Sequence, residues 1–232
     1  MEKTIIAIGG GEIRNKTTLE IDRYIAQKAK LHAGDKRANA LFIGTASHDS
    51  MPYFNSFRKT YTSVFDIKAE VALMVYGEMS IEKIASKIDM ADAIYIGGGD
   101  TVFMLSKWKE FGIDKLLIDA YDKGKIICGL SAGAICWFTK MYTDFEIMRG
   151  ESSEYVLKDG LGVLDGAMCP HFNEREEDFS KALVSGLIDS AYCIENNCAI
   201  EFINGSFSKV VSAGGKAYFI QNINGEIIKK EL

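Results

Sequence analysis

Proline is scarce in this chain, with two residues in 232, and histidine is almost as rare at three. No stretch is low in complexity, no segment repeats, and no linker-like composition divides the sequence, so a single domain over 1–232 is expected. Long apolar runs are missing as well. The first, residues 4–8, is too short for a signal-peptide core or a membrane span, so no membrane partner is expected. Positive charge is not in excess: 27 Lys and Arg stand against 32 Asp and Glu, for a net charge of -5. That removes the basic face that nucleic-acid binding needs. No block of like charges stands out as an interaction tail. The five cysteines are odd in number and form no C-x-x-C pair. Reduced thiols in a cytoplasmic protein are the expectation, and a metal or disulfide at Cys193 and Cys198 has little support.

What is present is an alternation. Apolar runs of strand length at 4–8, 40–45, 67–75, 93–96 and 125–128 are separated by amphipathic helical segments at 18–33, 53–65, 80–88, 102–109 and 113–123. Regular succession of this kind means parallel crossovers, and strands apolar throughout mean helices on both faces. After residue 190 the pattern changes. Strand-like runs at 191–194, 199–203, 208–211 and 217–221 come at close spacing, with Asn204-Gly205 and Asn224-Gly225 as hairpin signals. Antiparallel strands added to one edge of a mostly parallel sheet are therefore expected. In such a sheet ligands bind beyond the carboxyl ends of the strands. Three features fall there: Gly9–Gly11, Gly97–Asp100 and Ser131.

Gly129-Leu130-Ser131-Ala132-Gly133 follows the fifth strand directly. A nucleophile elbow needs small residues two before and two after its nucleophile, and both are glycine here. Ser131 then meets the start of a helix, and the N–H of Ala132 is a natural oxyanion donor. The competing role for Ser131 is an ordinary helix cap. Of the three histidines, His32 ends a surface helix and His48 has no supporting pattern. His171, in Cys169-Pro170-His171-Phe172, is the best general base. Asp144 and Glu146 both lie shortly after the elbow helix, and either can orient the imidazole. Gly97-Gly98-Gly99-Asp100-Thr101 matches neither nucleotide-binding glycine pattern. One of its N–H groups can complete an oxyanion hole with Ala132, and Asp100 can cap the helix that follows.

The glycine run 97–101, the serine turn and Pro170-His171-Phe172, in that order, resemble the peptidase E family. These are serine peptidases of the aspartyl dipeptidase type, with cyanophycinases as relatives. The resemblance covers residues 90–175 well, and Ile194-Glu195-Asn196-Asn197 fits the family's layout. It implies a three-layer α/β sandwich with a mostly parallel central sheet, like that of class I glutamine amidotransferases, with serine in place of their cysteine. It also implies cleavage of dipeptides or short peptides without metal or cofactor, by a monomer or homodimer. Carried over by position, Ser131 is the nucleophile and His171 the base, while Gly99 and Ala132 are the oxyanion donors. The third triad member falls on Glu146, where well-known relatives have aspartate, with Asp144 as rival. Arg175 matches an arginine that reads an acidic side chain in aspartyl dipeptidases. Its other role is a surface arginine paired with Glu174, Glu176 and Glu177. Two other readings remain: a cyanophycinase-like hydrolase of β-aspartyl peptides, and a binding or sensor protein with the same fold and no activity.

Overall fold

The computed structural model describes residues 2–77 and 79–232. Its first half follows the expected alternation. The strands are β1 (Thr4–Ile8), β2 (Asn39–Ile43), β3 (Lys68–Ala72), β4 (Ala93–Ile96) and β5 (Ile126–Leu130). Between them run α1 (Leu19–Ala33), α2 (Met51–Ser63), α3 (Ile81–Met90), α4 (Thr101–Phe111) and α5 (Ile113–Asp122). Local capping explains several starts. Asp100 accepts the N–H of Phe103 at 2.9 Å to open α4, and Ser80 accepts that of Lys83 at 3.4 Å to open α3.

The five strands pair in parallel in the order β1-β5-β4-β2-β3. Their side chains alternate between two cores, as the twofold period of a strand requires. Ile6 and Ile8 of β1 and Cys128 of β5 face α1 and α2, among Ile21, Ile25, Phe57 and Tyr61. Ile5, Ala7 and Ile127 face the other way, among Met104, Trp108 and Leu117 from α4 and α5.

The second half departs from expectation. After α6 (Ala132–Ile135) come β6 (Phe138–Thr143), α7 (Phe145–Met148), β7 (Val156–Asp159), β8 (Leu164–Cys169) and α8 (Phe172–Val184). Then follow β9 (Ser190–Ile194), β10 (Cys198–Ile203), β11 (Ser206–Ser212), β12 (Ala217–Ile223) and β13 (Glu226–Glu231). Only β10 and β11 extend the first sheet, antiparallel beyond β1. The others form a second sheet, ordered β13-β12-β9-β8-β6-β7. The two sheets share one core, in which Phe138, Met141 and Met168 meet Ile5, Ile200 and Phe202. The opposite face of the second sheet is covered by α8 through Phe172, Phe179 and Leu183. All five cysteines are buried and free. Among the described residues, no helix is long and apolar enough to cross a membrane.

Candidate active site

Ser131 stands between β5 and α6 with φ 52° and ψ -107°. A non-glycine residue held there stores strain on the order of 1–3 kcal/mol, which the surroundings must impose. They do so by close packing. A side-chain carbon on Gly129 would overlap the carbonyl oxygen of Gly133, and one on Gly133 would overlap that of Ile96. The Ser131 N–H donates to the carbonyl of Ile8 at 2.9 Å, which ties the turn to β1. The helix behind it, Ala132–Ile135, is a single turn, so an extended macrodipole contributes little. The Ala132 N–H, in the first turn of that helix, still has no acceptor within it.

His171 leaves β8 through Pro170 and sits in the left-handed region at φ 50°, just ahead of α8. Its N–H donates to the Gly9 carbonyl at 2.9 Å. The ring bridges two side chains. Nε2 lies 2.8 Å from the Ser131 hydroxyl, and Nδ1 lies 2.6 Å from Oδ1 of Asn196. Burial and then the nearby charge of Arg175 push the imidazole below its ordinary pKa, which keeps it neutral and able to take a proton. Asn196 comes from the turn between β9 and β10. Its N–H donates to Oδ1 of Asn173 at 2.8 Å, and its Nδ2 donates to Glu174. The first glycine run has a definite use here. A side-chain carbon on Gly10 would overlap both Asn196 Oδ1 and His171 Nδ1, so only glycine lets the chain after β1 pack against this pair.

The Ser131 hydroxyl opens on a cleft of about 470 Å³, lined also by Gly98, Gly99, Tyr53, Glu12, Arg14, Asp144 and Met148. Gly98 lies beside Ser131, and its N–H donates to the Tyr53 hydroxyl at 3.5 Å. Gly99 has φ 138°, and any side chain there would overlap the Ala46 carbonyl. A hydroxyl, a half-buried neutral base held at both ring nitrogens and amides at one cleft are the parts that nucleophilic acyl transfer needs.

The model of peptidase family S51 matches residues 5–210 of the sequence. The chain belongs to peptidase family S51. The uncharacterized peptidase YgaJ of Bacillus subtilis is 31% identical over 231 residues, covering 97% of this chain and 95% of YgaJ. The uncharacterized peptidase Lmo0363 of Listeria monocytogenes is 30% identical over 130 residues, covering 54% of this chain and 63% of that protein. Among solved structures, a peptidase from an acI-B1 Actinobacterium superposes with a TM-score of 0.73 at 18% identity, covering 99% of this chain and 97% of its own. A putative peptidase E protein from Listeria monocytogenes covers both chains fully, with a TM-score of 0.60 at 21% identity. At those identities the structures carry the fold alone, the α/β architecture of peptidase E proteins.

Three residues expected at the site of this S51 peptidase, Glu146, its rival Asp144 and Arg175, take other roles. Glu146 is not at the imidazole: its carboxylate lies 4.0 Å from Lys158 Nζ, and the position facing Nδ1 is held by Asn196. The reason is topological. Glu146 belongs to α7, beyond β6, whereas Nδ1 faces Gly10 and the β9–β10 turn. Asp144 is not there either; it accepts from Arg175 Nη2 at 2.7 Å. Arg175 fits neither role expected of it. It is buried at 5% exposure, between Asp144, the Tyr142 carbonyl at 3.5 Å and the Tyr155 ring at 4.9 Å. It is absent from the cleft lining and does not pair with its glutamate neighbours. The spacing of Phe172, Arg175, Phe179 and Ala182 on one helix face is the signal that places it inward. Asn196 is the site residue that sequence reasoning missed. No local pattern marks it, since its partner His171 lies 25 positions earlier.

Proposed function

We propose that this S51 peptidase is a serine-type enzyme that hydrolyses dipeptides or short peptides through Ser131, His171 and Asn196. The 2.8 Å approach of His171 Nε2 to the Ser131 hydroxyl carries the reading. Ser131 attacks the peptide carbonyl as Nε2 takes its proton. The N–H groups of Gly99 and Ala132 receive the oxyanion. His171 then protonates the leaving amine, and water releases the acyl group by the same route in reverse. Asn196 Oδ1 holds the imidazole with its proton on Nδ1. An amide suffices for this, and other triads use one. A cleft of about 470 Å³ suits a substrate of a few residues. Five buried free thiols suit a cytoplasmic enzyme.

The test is a panel of α- and β-linked dipeptides and tripeptides with free and blocked N-termini, read for wild type and Ser131→Ala. Hydrolysis is expected only in wild type, together with labelling of Ser131 by a fluorophosphonate. Full hydrolysis by Ser131→Ala sinks the assignment. No labelling of a folded wild type turns the reading to a binding protein.

A further inference from the structure

We propose that Glu174 is a positioning residue of this site, which locks the Asn196 amide in one orientation and thereby fixes the proton on His171 Nδ1. This rests on the reading of Ser131 as nucleophile and His171 as base. An asparagine amide has two faces of nearly equal shape, one accepting and one donating. If its NH2 faced the imidazole, Nδ1 would have to accept, the ring proton would sit on Nε2, and no lone pair would remain there for the Ser131 hydroxyl. The contacts of Asn196 itself make one orientation the stable one. A carboxylate only accepts, and Glu174 faces Asn196 Nδ2. The NH2 must therefore point to Glu174, Oδ1 to Nδ1, and the lone pair of Nε2 to serine.

The first turn of α8 supplies the whole clamp. Asn173 Oδ1 takes the Asn196 N–H at 2.8 Å, and the Glu174 N–H donates to the His171 carbonyl at 2.8 Å. The start of α8 is thus joined to the β9–β10 turn through both the backbone and the side chain of Asn196. The competing role for Glu174 is the ordinary stabilisation of a helix start by an acidic side chain. That role changes melting temperature and leaves the tautomer of a histidine alone. The charged groups around the ring are Glu174 and Arg175 from α8 and Asp144 from the segment after β6, with Glu12 and Arg14 lining the same cleft. Glu174 favours the imidazolium and Arg175 opposes it.

The experiment reads the ring directly. With three histidines in the chain, ¹⁵N-histidine NMR of the full protein resolves His171, assigned by its loss in His171→Ala. Wild type is expected to show the neutral Nδ1–H tautomer. In Glu174→Ala the ratio of Nδ1–H to Nε2–H should fall about tenfold, the equivalent of one hydrogen bond to a charged group. The titration midpoint should move to lower pH, and labelling of Ser131 by a fluorophosphonate should slow in proportion to the Nδ1–H fraction that the same spectra report. Moving the charge inward by one residue supplies the rescue: Asn196→Asp together with Glu174→Gln should label faster than Asn196→Asp alone, where two carboxylates face each other. An unchanged tautomer ratio and midpoint in Glu174→Ala overturns the proposal, even if its melting temperature falls. A double variant no faster than Asn196→Asp also overturns it. A wild type whose Ser131 resists the probe while the tautomer responds to Glu174 would instead remove the hydrolase reading and leave the clamp standing.

Discussion

The first glycine run packs directly against the histidine and its asparagine partner, and one methyl group tests it. In Gly10→Ala the added carbon would overlap Asn196 Oδ1 and His171 Nδ1, which are side-chain atoms rather than backbone. The cheapest relief is for the imidazole and the amide to move away. That breaks or lengthens the contacts at 2.8 Å to Ser131 and 2.6 Å to Asn196. A hydrogen bond to a group that becomes charged in the reaction is worth about 1.5–3 kcal/mol, and each 1.4 kcal/mol is tenfold in rate. Losing one to two of them predicts a fall in kcat of about 10- to 10⁴-fold. Overpacking costs about 1–3 kcal/mol of stability, which is roughly 2–12 °C in a chain of this length. Peptide hydrolysis and calorimetry on the same samples read both quantities. A double-variant cycle isolates the cause: in the His171→Ala background part of the obstacle is gone, so Gly10→Ala should destabilise less there than in wild type. Wild-type activity in Gly10→Ala, or equal destabilisation in both backgrounds, would refute the packing argument.

Glu146→Gln is expected to keep activity within about threefold of wild type, because its carboxylate faces Lys158 rather than the imidazole; a loss of two decades in hydrolysis rate would return it to the triad. The acid limb of kcat/KM should have its midpoint below the ordinary histidine value of 6.5, since burial and Arg175 both favour the neutral ring that must accept the proton. A midpoint above that value contradicts the environment described. Asp22 is buried, accepts from Thr18 and Tyr61, and is pushed from 3.8 up to about 7, chiefly by burial. A raised acid holds its proton longer in the folded chain, so its stabilising effect is present at low pH and is lost as pH rises from about 4 to 7. About three units at about 1.4 kcal/mol each bound the loss at about 4 kcal/mol, and urea unfolding of Asp22→Asn should show a flatter pH dependence over that window.

The sheet of the first half was legible because its strands are covered on both faces. β1, β2, β4 and β5 are buried along their whole length, and such strands read as unbroken apolar runs. Of the second sheet only β9 and β12 were legible, as the runs at 191–194 and 217–221. β6 carries exposed Thr139 and Lys140, β8 contains Asp165 and Gly166, and β13 is exposed throughout. Half-wet strands of this kind present neither a run nor a clean alternation. The same contrast governs the site. Ser131 and its glycines are a local pattern, since the turn itself demands them. Asn196 is meaningful only through a residue 25 positions away, and nothing adjacent in sequence announces it. Arg175 misled for a related reason: among glutamates it resembles a surface residue, and only the helical period reveals its inward face.

The site stands where the two sheets meet, and this accounts for the placement of the glycines. Ser131 and Gly98–Gly99 follow strands of the first sheet, while His171 and Asn196 follow β8 and β9 of the second. A hydroxyl and an imidazole on different sheets keep a 2.8 Å approach only if the sheets are fixed to each other at that point. Gly9 and Gly10 make the junction. The Gly9 carbonyl accepts from His171 N–H, the Gly10 carbonyl accepts from Asn197 N–H, and the Gly9 N–H donates to Cys198, each at 2.9 Å. One peptide segment after β1 thus binds the strand end that carries the base and the turn that carries its orienter. A side-chain carbon on Gly9 would overlap the backbone carbonyls of Ile194 and Glu195, which cannot swing away as a side chain can. Gly9→Ala should therefore disturb the seam itself, losing stability and activity together, whereas Gly10→Ala loses mainly activity. Equal losses of stability at the two positions, read by the same calorimetry, would mean that the junction does not hold the sheets in register.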